Sequence, residues 1–228
     1  MILGISQRCG TNYLYNLLLL HKDIIASNNS GEDYLLSQSD VLNQYVQKVK
    51  SNWLTNWNND ENKLYSGISQ GLTYYLNPEK ECSFFLTRTP DTRNLKHFPK
   101  FFQKTKLIIL TRDGKDVAES AAKGFGWFYD LTFKIWGKSA KRIIDFRDEN
   151  KMEQHRFLIV KYEDLLDNLP ATLLEIMRFC NVDEKDYNFE KALSLPVRGS
   201  SFLKDDSGSV NWNNKTKNDK PIPGRRSE

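Results

Sequence analysis

The sequence predicts an α/β fold with a central parallel sheet flanked by helices. Three observations carry this. Four short apolar runs, at 2–5, 82–87, 106–111 and 156–160, have the length and composition of strands buried on both faces. Each is followed by a stretch of helical pattern, the alternation that builds parallel sheets. The first run also leads through a small polar loop, SQRCGT, into a leucine-rich segment, which reads as strand, tight loop, helix.

Taken in order, the first strand is Ile2–Ile5 and the first helix Asn12–His21. The loop between them suits an anion, because amides at a helix start converge there. It is not the usual G-x-x-x-x-G-K-[ST]. Gly4 and Gly10 are separated by five residues, Thr11 follows Gly10 with no lysine between, and the nearest cation is Arg8. Residues 34–80 are polar and aromatic, with Tyr45, Trp53, Trp57, Tyr65, Tyr74 and Tyr75. They read as helices inserted between the first two strands, either an amphipathic cap or a lid whose aromatic faces hold a substrate.

The second strand, Cys82–Thr87, is followed by Arg88, Thr89 and Pro90. The third, Lys106–Thr111, has Arg112 at its carboxyl end, and Ser120 lies eight residues on in a helix over Asp116–Lys123. Ligands of open α/β sheets sit beyond the strands' carboxyl ends. Arg112 is placed to clamp a phosphate there with Ser120 as partner, or else to pair with Asp113. Residues 128–148 form a longer amphipathic helix. The fourth strand, Arg156–Val160, leads to Tyr162 and Glu163 at its end, and LPATLLEIMRF is a helix with Pro170 in its first turn. PVRGSS then brings Arg198, Gly199, Ser200 and Ser201, and the polar stretch from Ser201 reads as loop with a flexible tail over about 216–228.

The chain of 228 residues is expected to form a single domain, 1–228, with a substantial core. A net charge of +4 is too mild to argue for nucleic acid and fits a local basic cleft for a small polyanion. The three cysteines, Cys9, Cys82 and Cys180, form no C-x-x-C pair, which argues against zinc or a redox dithiol. An odd count with no leader before the first strand suggests reduced thiols and a cytoplasmic setting. The longest apolar run, Leu17–Leu20, is far short of a membrane span. Cys9, beside Arg8 near a helix start, is expected to have a lowered pKa and to be oxidisable. His21 and His97 read as structural.

Together these motifs resemble sulfotransferases that use 3′-phosphoadenosine 5′-phosphosulfate (PAPS). The resemblance spans about residues 2–215 and lies closest to tyrosylprotein and carbohydrate sulfotransferases of the Golgi type. It implies a P-loop-like sulfotransferase fold. Arg8-Cys9-Gly10-Thr11-Asn12 matches the family's R-S-G-T-T loop, which binds the 5′-phosphosulfate, with Cys9 and Asn12 as departures. Arg112 and Ser120 match the pair that binds the 3′-phosphate, Arg88-Thr89-Pro90 the K-T-P turn, and Tyr162 to Leu165 the Y-E-D-L sequence. Arg198, Ser200 and Ser201 are expected at the 3′-phosphate or ribose, and Lys215 or Lys217 over the nucleotide.

The resemblance also implies the chemistry. Arg8 acts electrostatically on the charge that develops in transfer. The acceptor's base is Glu32 or Asp33, in a G-E-D stretch that resembles the family's G-E-E. The implied partner is a hydroxyl-bearing acceptor: a carbohydrate, a phenol or tyrosine, or another small molecule. No metal is required. The competing expectations are a nucleotide kinase-like phosphotransferase with a metal at Asp113, against which the missing lysine counts, and a non-catalytic nucleotide-binding module.

Overall fold

The computed structural model describes residues 1–27, 31–78 and 84–195, with the backbone of 203–204 and 210–211. The chain opens with β1 (Ile2–Gly4), α1 (Thr11–Leu18) and β2 (Ile24–Ala26), then α2 (Ser39–Lys50) and α3 (Glu61–Leu76). Next come β3 (Phe84–Leu86), β4 (Arg88–Thr89), α4 (Phe98–Phe101), β5 (Leu107–Thr111), α5 (Gly114–Phe125) and α6 (Tyr129–Glu149). The rest is β6 (Phe157–Lys161), α7 (Tyr162–Asp167), α8 (Leu169–Cys180), α9 (Phe189–Ser194) and the strands β7 (Leu203–Lys204) and β8 (Val210–Asn211).

The central sheet is parallel throughout, in the order β4-β1-β5-β6. Its centre is apolar because helices cover both faces; Leu107, Ile108, Ile109 and Leu110 are all buried. A second parallel pair, β2-β3, adjoins it. Only Thr87 separates β3 from β4, so one extended stretch serves both sheets. Ser27 N–H donates to the Leu86 carbonyl at 2.9 Å and Ile2 N–H to the Thr87 carbonyl at 2.8 Å.

The helices begin and end where their sequences dictate. Asp113 caps α5 by accepting from the Lys115 and Asp116 amides, and Gly126, at φ 69°, ends it in the left-handed region. Pro170 opens α8 where its missing N–H has no intrahelical role. Phe146 of α6 packs edge-on to Phe157 of β6 and Phe98 of α4, with ring centroids 5.1 and 6.3 Å apart. The inserted helices join this core through Tyr65, buried edge-on against Phe101 at 5.1 Å.

The α/β class and the four strands stand, with corrections. The first helix ends at Leu18, because His21 is drawn into a turn: its Nδ1 accepts from Asp23 N–H, and Nε2 meets the Asp183 carbonyl at 2.8 Å. A further strand, β2, precedes the insert. Arg88 and Thr89 are themselves a strand beside β1 rather than a turn after one. Tyr162 and Glu163 open α7 instead of ending the strand. Cys82 lies outside the described residues.

Candidate active site

The loop after β1 folds tightly back over its strand. A Cβ on Gly4 would stand 2.5 Å from Cys9 Sγ and 2.7 Å from Thr11 Cγ2, so Gly4 admits no side chain. Gly10 is doubly constrained. Its φ is 99°, and a Cβ there would lie 2.4 Å from the Tyr162 ring. Gly10 gives α1 no side-chain cap, and the first intrahelical bond runs from Leu14 N–H to the Gly10 carbonyl at 3.1 Å. The residues before Leu14 thus form the open first turn of α1, where the helix dipole favours an anion.

Two arginines converge on this loop. Arg8, itself at φ 71°, donates from Nε to Ser120 Oγ at 3.1 Å and lies 5.0 Å from the Phe125 ring. Arg112 leaves the end of β5, donates from Nη1 to the Arg8 carbonyl at 3.1 Å, and stacks 4.4 Å over the Tyr162 ring. Its Nη2 is 3.7 Å from Asp116, not Asp113. Its buried Nε has no hydrogen-bond partner among the described residues. Burial, and secondarily the neighbouring Arg112, lowers the pKa of Arg8. Negative charge brought to these guanidiniums offsets their repulsion and favours the protonated form.

The support beneath Arg112 is built from other elements. Trp136 of α6 donates its indole N–H to the Arg112 carbonyl at 2.9 Å, and Glu163 of α7 accepts from Asp113 N–H at 2.9 Å. Tyr162 is thus a platform: Gly10 rests on its ring, and Arg112 on the same ring. Nearby, Arg88 stacks 4.0 Å over the Tyr15 ring.

The structure places the two candidate bases differently. Asp33 is half-buried, donates its N–H to the Arg88 carbonyl at 3.2 Å, and accepts on one oxygen from Leu35 N–H and on the other from the Thr87 hydroxyl. Burial pushes its carboxyl pKa up. Glu32 is exposed, and its Oε2 accepts the Tyr34 hydroxyl at 2.5 Å. The Gln7 side chain, inside the loop after β1, bonds that same hydroxyl. The turn after Tyr34 then forms one wall of a polar cleft of about 500 Å³, with Arg93, Asn94 and Arg142 among its other residues.

Cys9 corrects an expectation. It is fully buried, and burial pushes its thiol pKa up to about 11 rather than down. The backbone bonds and Arg112 that favour the thiolate are outweighed by desolvation. Ser120 pairs with Arg8 rather than with Arg112. His97 sits against Phe101 with Nδ1 3.2 Å from Ser39 Oγ, and burial lowers its pKa. Asp113 is committed to the cap of α5. Among the described residues no group of three or more His, Cys, Asp or Glu is placed to hold a metal ion. Arg198, Ser200, Ser201, Lys215 and Lys217 lie outside the described residues.

Sequence reasoning missed Gln7, Tyr34 and Trp136. Only the last carried a signal, as a large apolar residue on the inward face of the long helix.

Three solved structures share the architecture. They are the sulfotransferase domain from the curacin biosynthetic pathway (21% identity, TM-score 0.56, 80% of this chain and 73% of that one), the sulfotransferase domain of the Synechococcus PCC 7002 olefin synthase (24%, 0.53, 80% and 72%), and a sulfotransferase from Alicyclobacillus acidocaldarius (11%, 0.55, 80% and 81%). Comparison with curated protein sequences found no match. The sequence matches the profile of the sulfotransferase family over residues 1–186, which takes in the loop after β1, both arginines and the strands that carry them. The chain belongs to the sulfotransferase family.

Proposed function

We propose that the chain transfers the sulfuryl group of PAPS to an acceptor hydroxyl and releases adenosine 3′,5′-bisphosphate. The observation that carries this reading is the convergence of Arg8 and Arg112 at the carboxyl ends of β1 and β5, joined by the bond from Arg112 to the Arg8 carbonyl. The fit is supported by the buried Arg112 Nε, which has no hydrogen-bond partner among the described residues, and by the start of α1, whose dipole favours an anion.

In this reading the α1 amides and Arg8, with Thr11 and Asn12, hold the phosphosulfate. Arg112 and Ser120 hold the 3′-phosphate. Ser120 Oγ accepts from Arg8, so its own proton remains to donate. Glu32 takes the proton as the acceptor oxygen bonds to sulfur. Arg8 stabilises the charge left on the phosphate oxygen as the sulfur–oxygen bond breaks. Asp33, with both oxygens occupied, holds the segment in place instead. The whole chain is read as one sulfotransferase domain, with the aromatic helices of 34–80 as the acceptor's lid. Tyr45, Trp57, Tyr74 and Tyr75 are exposed there, suited to a sugar ring, a phenol or a peptide tyrosine.

Calorimetry with adenosine 3′,5′-bisphosphate against AMP tests the reading. A charged partner contributes about 1.5–3 kcal/mol, so the bisphosphate should bind at least about tenfold tighter, with or without EDTA. Equal affinity for the two nucleotides removes the 3′-phosphate site and the reading with it.

A further inference from the structure

Tyr34 bridges the proposed base and the loop after β1. Tyr34 sits at φ 52°, a left-handed conformation that a bulky side chain seldom adopts. A strained backbone persists only where its surroundings over-determine it, and such residues cluster at functional sites. The surroundings here are explicit. On one side Asp33 is fastened through its N–H and both carboxylate oxygens to Arg88, Leu35 and Thr87. On the other, the Tyr34 carbonyl accepts from Ser37 Oγ at 2.8 Å and from Gln38 N–H at 3.3 Å. Held this way, the phenol is aimed at two groups: its hydroxyl donates to Glu32 Oε2 at 2.5 Å and accepts from Gln7.

We propose that Tyr34 is a positioning residue that locks the Glu32 carboxylate to the anion loop and so sets the distance between the base and the bound sulfuryl group. This rests on Glu32 being the base. Glu32 is otherwise an exposed side chain with three rotatable bonds and no other hydrogen bond among the described contacts. The phenol occupies Oε2 and leaves Oε1 to take a proton. Because Gln7 holds the same hydroxyl, base and loop share one atom. A shift of the loop on donor binding is therefore transmitted to the carboxylate through a single hydrogen-bonded link. Burial and the bond to Glu32 also push the Tyr34 pKa up to about 12, so the phenol keeps its proton across the working range.

The test uses the full chain with sulfur-labelled PAPS, following transfer to water and to 4-nitrophenol, tyrosine methyl ester and N-acetylglucosamine. Tyr34→Phe keeps the ring and removes the hydroxyl. Its turnover should fall roughly 10- to 100-fold, the scale of one charge-assisted hydrogen bond, while its affinity for adenosine 3′,5′-bisphosphate stays within about twofold. In a Glu32→Gln background the same change should slow turnover no further, because the two act as one unit. Wild-type turnover by Tyr34→Phe beside an impaired Glu32→Gln overturns the positioning role alone. Wild-type turnover by Glu32→Gln, or a wild-type chain that transfers to none of these acceptors, overturns the base assignment and this inference together. A Tyr34→Phe chain that loses nucleotide affinity in step with turnover shows a residue that shapes the loop, not the base. Should Tyr34→Phe not fold, Glu32→Asp puts the same question: its carboxylate is one methylene short of the hydroxyl, and wild-type turnover there refutes the lock.

Discussion

Gly10→Ala offers a sharp test of how the site is built. The added methyl meets two separate penalties. At φ 99° an L-residue carries strain of about 1–2 kcal/mol. The methyl would also stand 2.4 and 2.5 Å from two carbons of the Tyr162 ring. That ring is buried between Gly10, Tyr13 and Arg112, so it has no solvent side to swing into. Overpacking of this kind costs about 1–3 kcal/mol. Together they remove about 2–5 kcal/mol, which for a chain of this size lowers the melting temperature on the order of 10 °C. Function should fall as well, because displacing the ring moves Arg112. The assays are thermal melts and calorimetry with adenosine 3′,5′-bisphosphate. The two penalties separate in a Tyr162→Ala background, where the glycine substitution should retain only its strain of about 1–2 kcal/mol. A Gly10→Ala chain that melts within a degree or so of wild type, or one whose cost is undiminished without the ring, refutes the argument that Tyr162 is the platform.

Arg8→Ala should lower turnover by about 10²–10³-fold with the melting temperature little changed, since loss of one donor to developing charge has that scale; single-turnover kinetics with labelled PAPS measures it. Asp33→Asn should remain active and be at least as stable at neutral pH. Burial raises the Asp33 pKa, so the stability tied to its protonated form is complete below the unfolded pKa of 3.8 and is lost as pH rises through the higher folded value. Melts from pH 4 to 8 in which the wild type gains on the variant as pH rises contradict this. Cys9 should resist iodoacetamide at pH 8 in the folded chain and react once denatured, as mass spectrometry of the labelled peptides shows. Its thiol ionises near 9 when unfolded and near 11 when folded, so stability is retained below pH 9 and declines as pH rises through 11.

The parts of this molecule that were legible in the sequence are those in which neighbours in sequence do the work. The run KLIILT could only be a doubly buried strand, and the order of Gly4, Arg8 and Gly10 between an apolar run and a leucine-rich segment pointed to a tight strand–loop–helix turn. Arg112 at a strand end was placed correctly, but its pairing with Ser120 was not: Ser120 meets Arg8 instead. What escaped depends on distant partners. Strand β2 is three residues long, too short for any period to show, and forms only because Phe84–Leu86 lies alongside it. Cys9 looked activated from its neighbours in sequence, but its pKa is set by burial, which the sequence does not display. Ser120 meets Arg8 because the loop swings across to α5, and Tyr34 reaches Gln7 through a backbone conformation unusual for tyrosine.

The pairing of β1 also governs how the chain is made. Its neighbours are Arg88–Thr89 on one side and Ile108–Leu110 on the other. With synthesis at roughly 5–20 residues per second, Ile2–Gly4 waits roughly 5–20 s for the strand that completes its flank. During that interval an apolar strand and its arginine loop have no sheet to rest on, and the loop cannot adopt the shape that Tyr162, later still, enforces on Gly10. The loop after β1 is thus translated well before the partners that shape it and takes its form only once they arrive. A ribosome-bound chain stalled before residue 107 should expose β1 to chaperones, and the loop after β1 can be set in place only after β6 and α7 have left the ribosome.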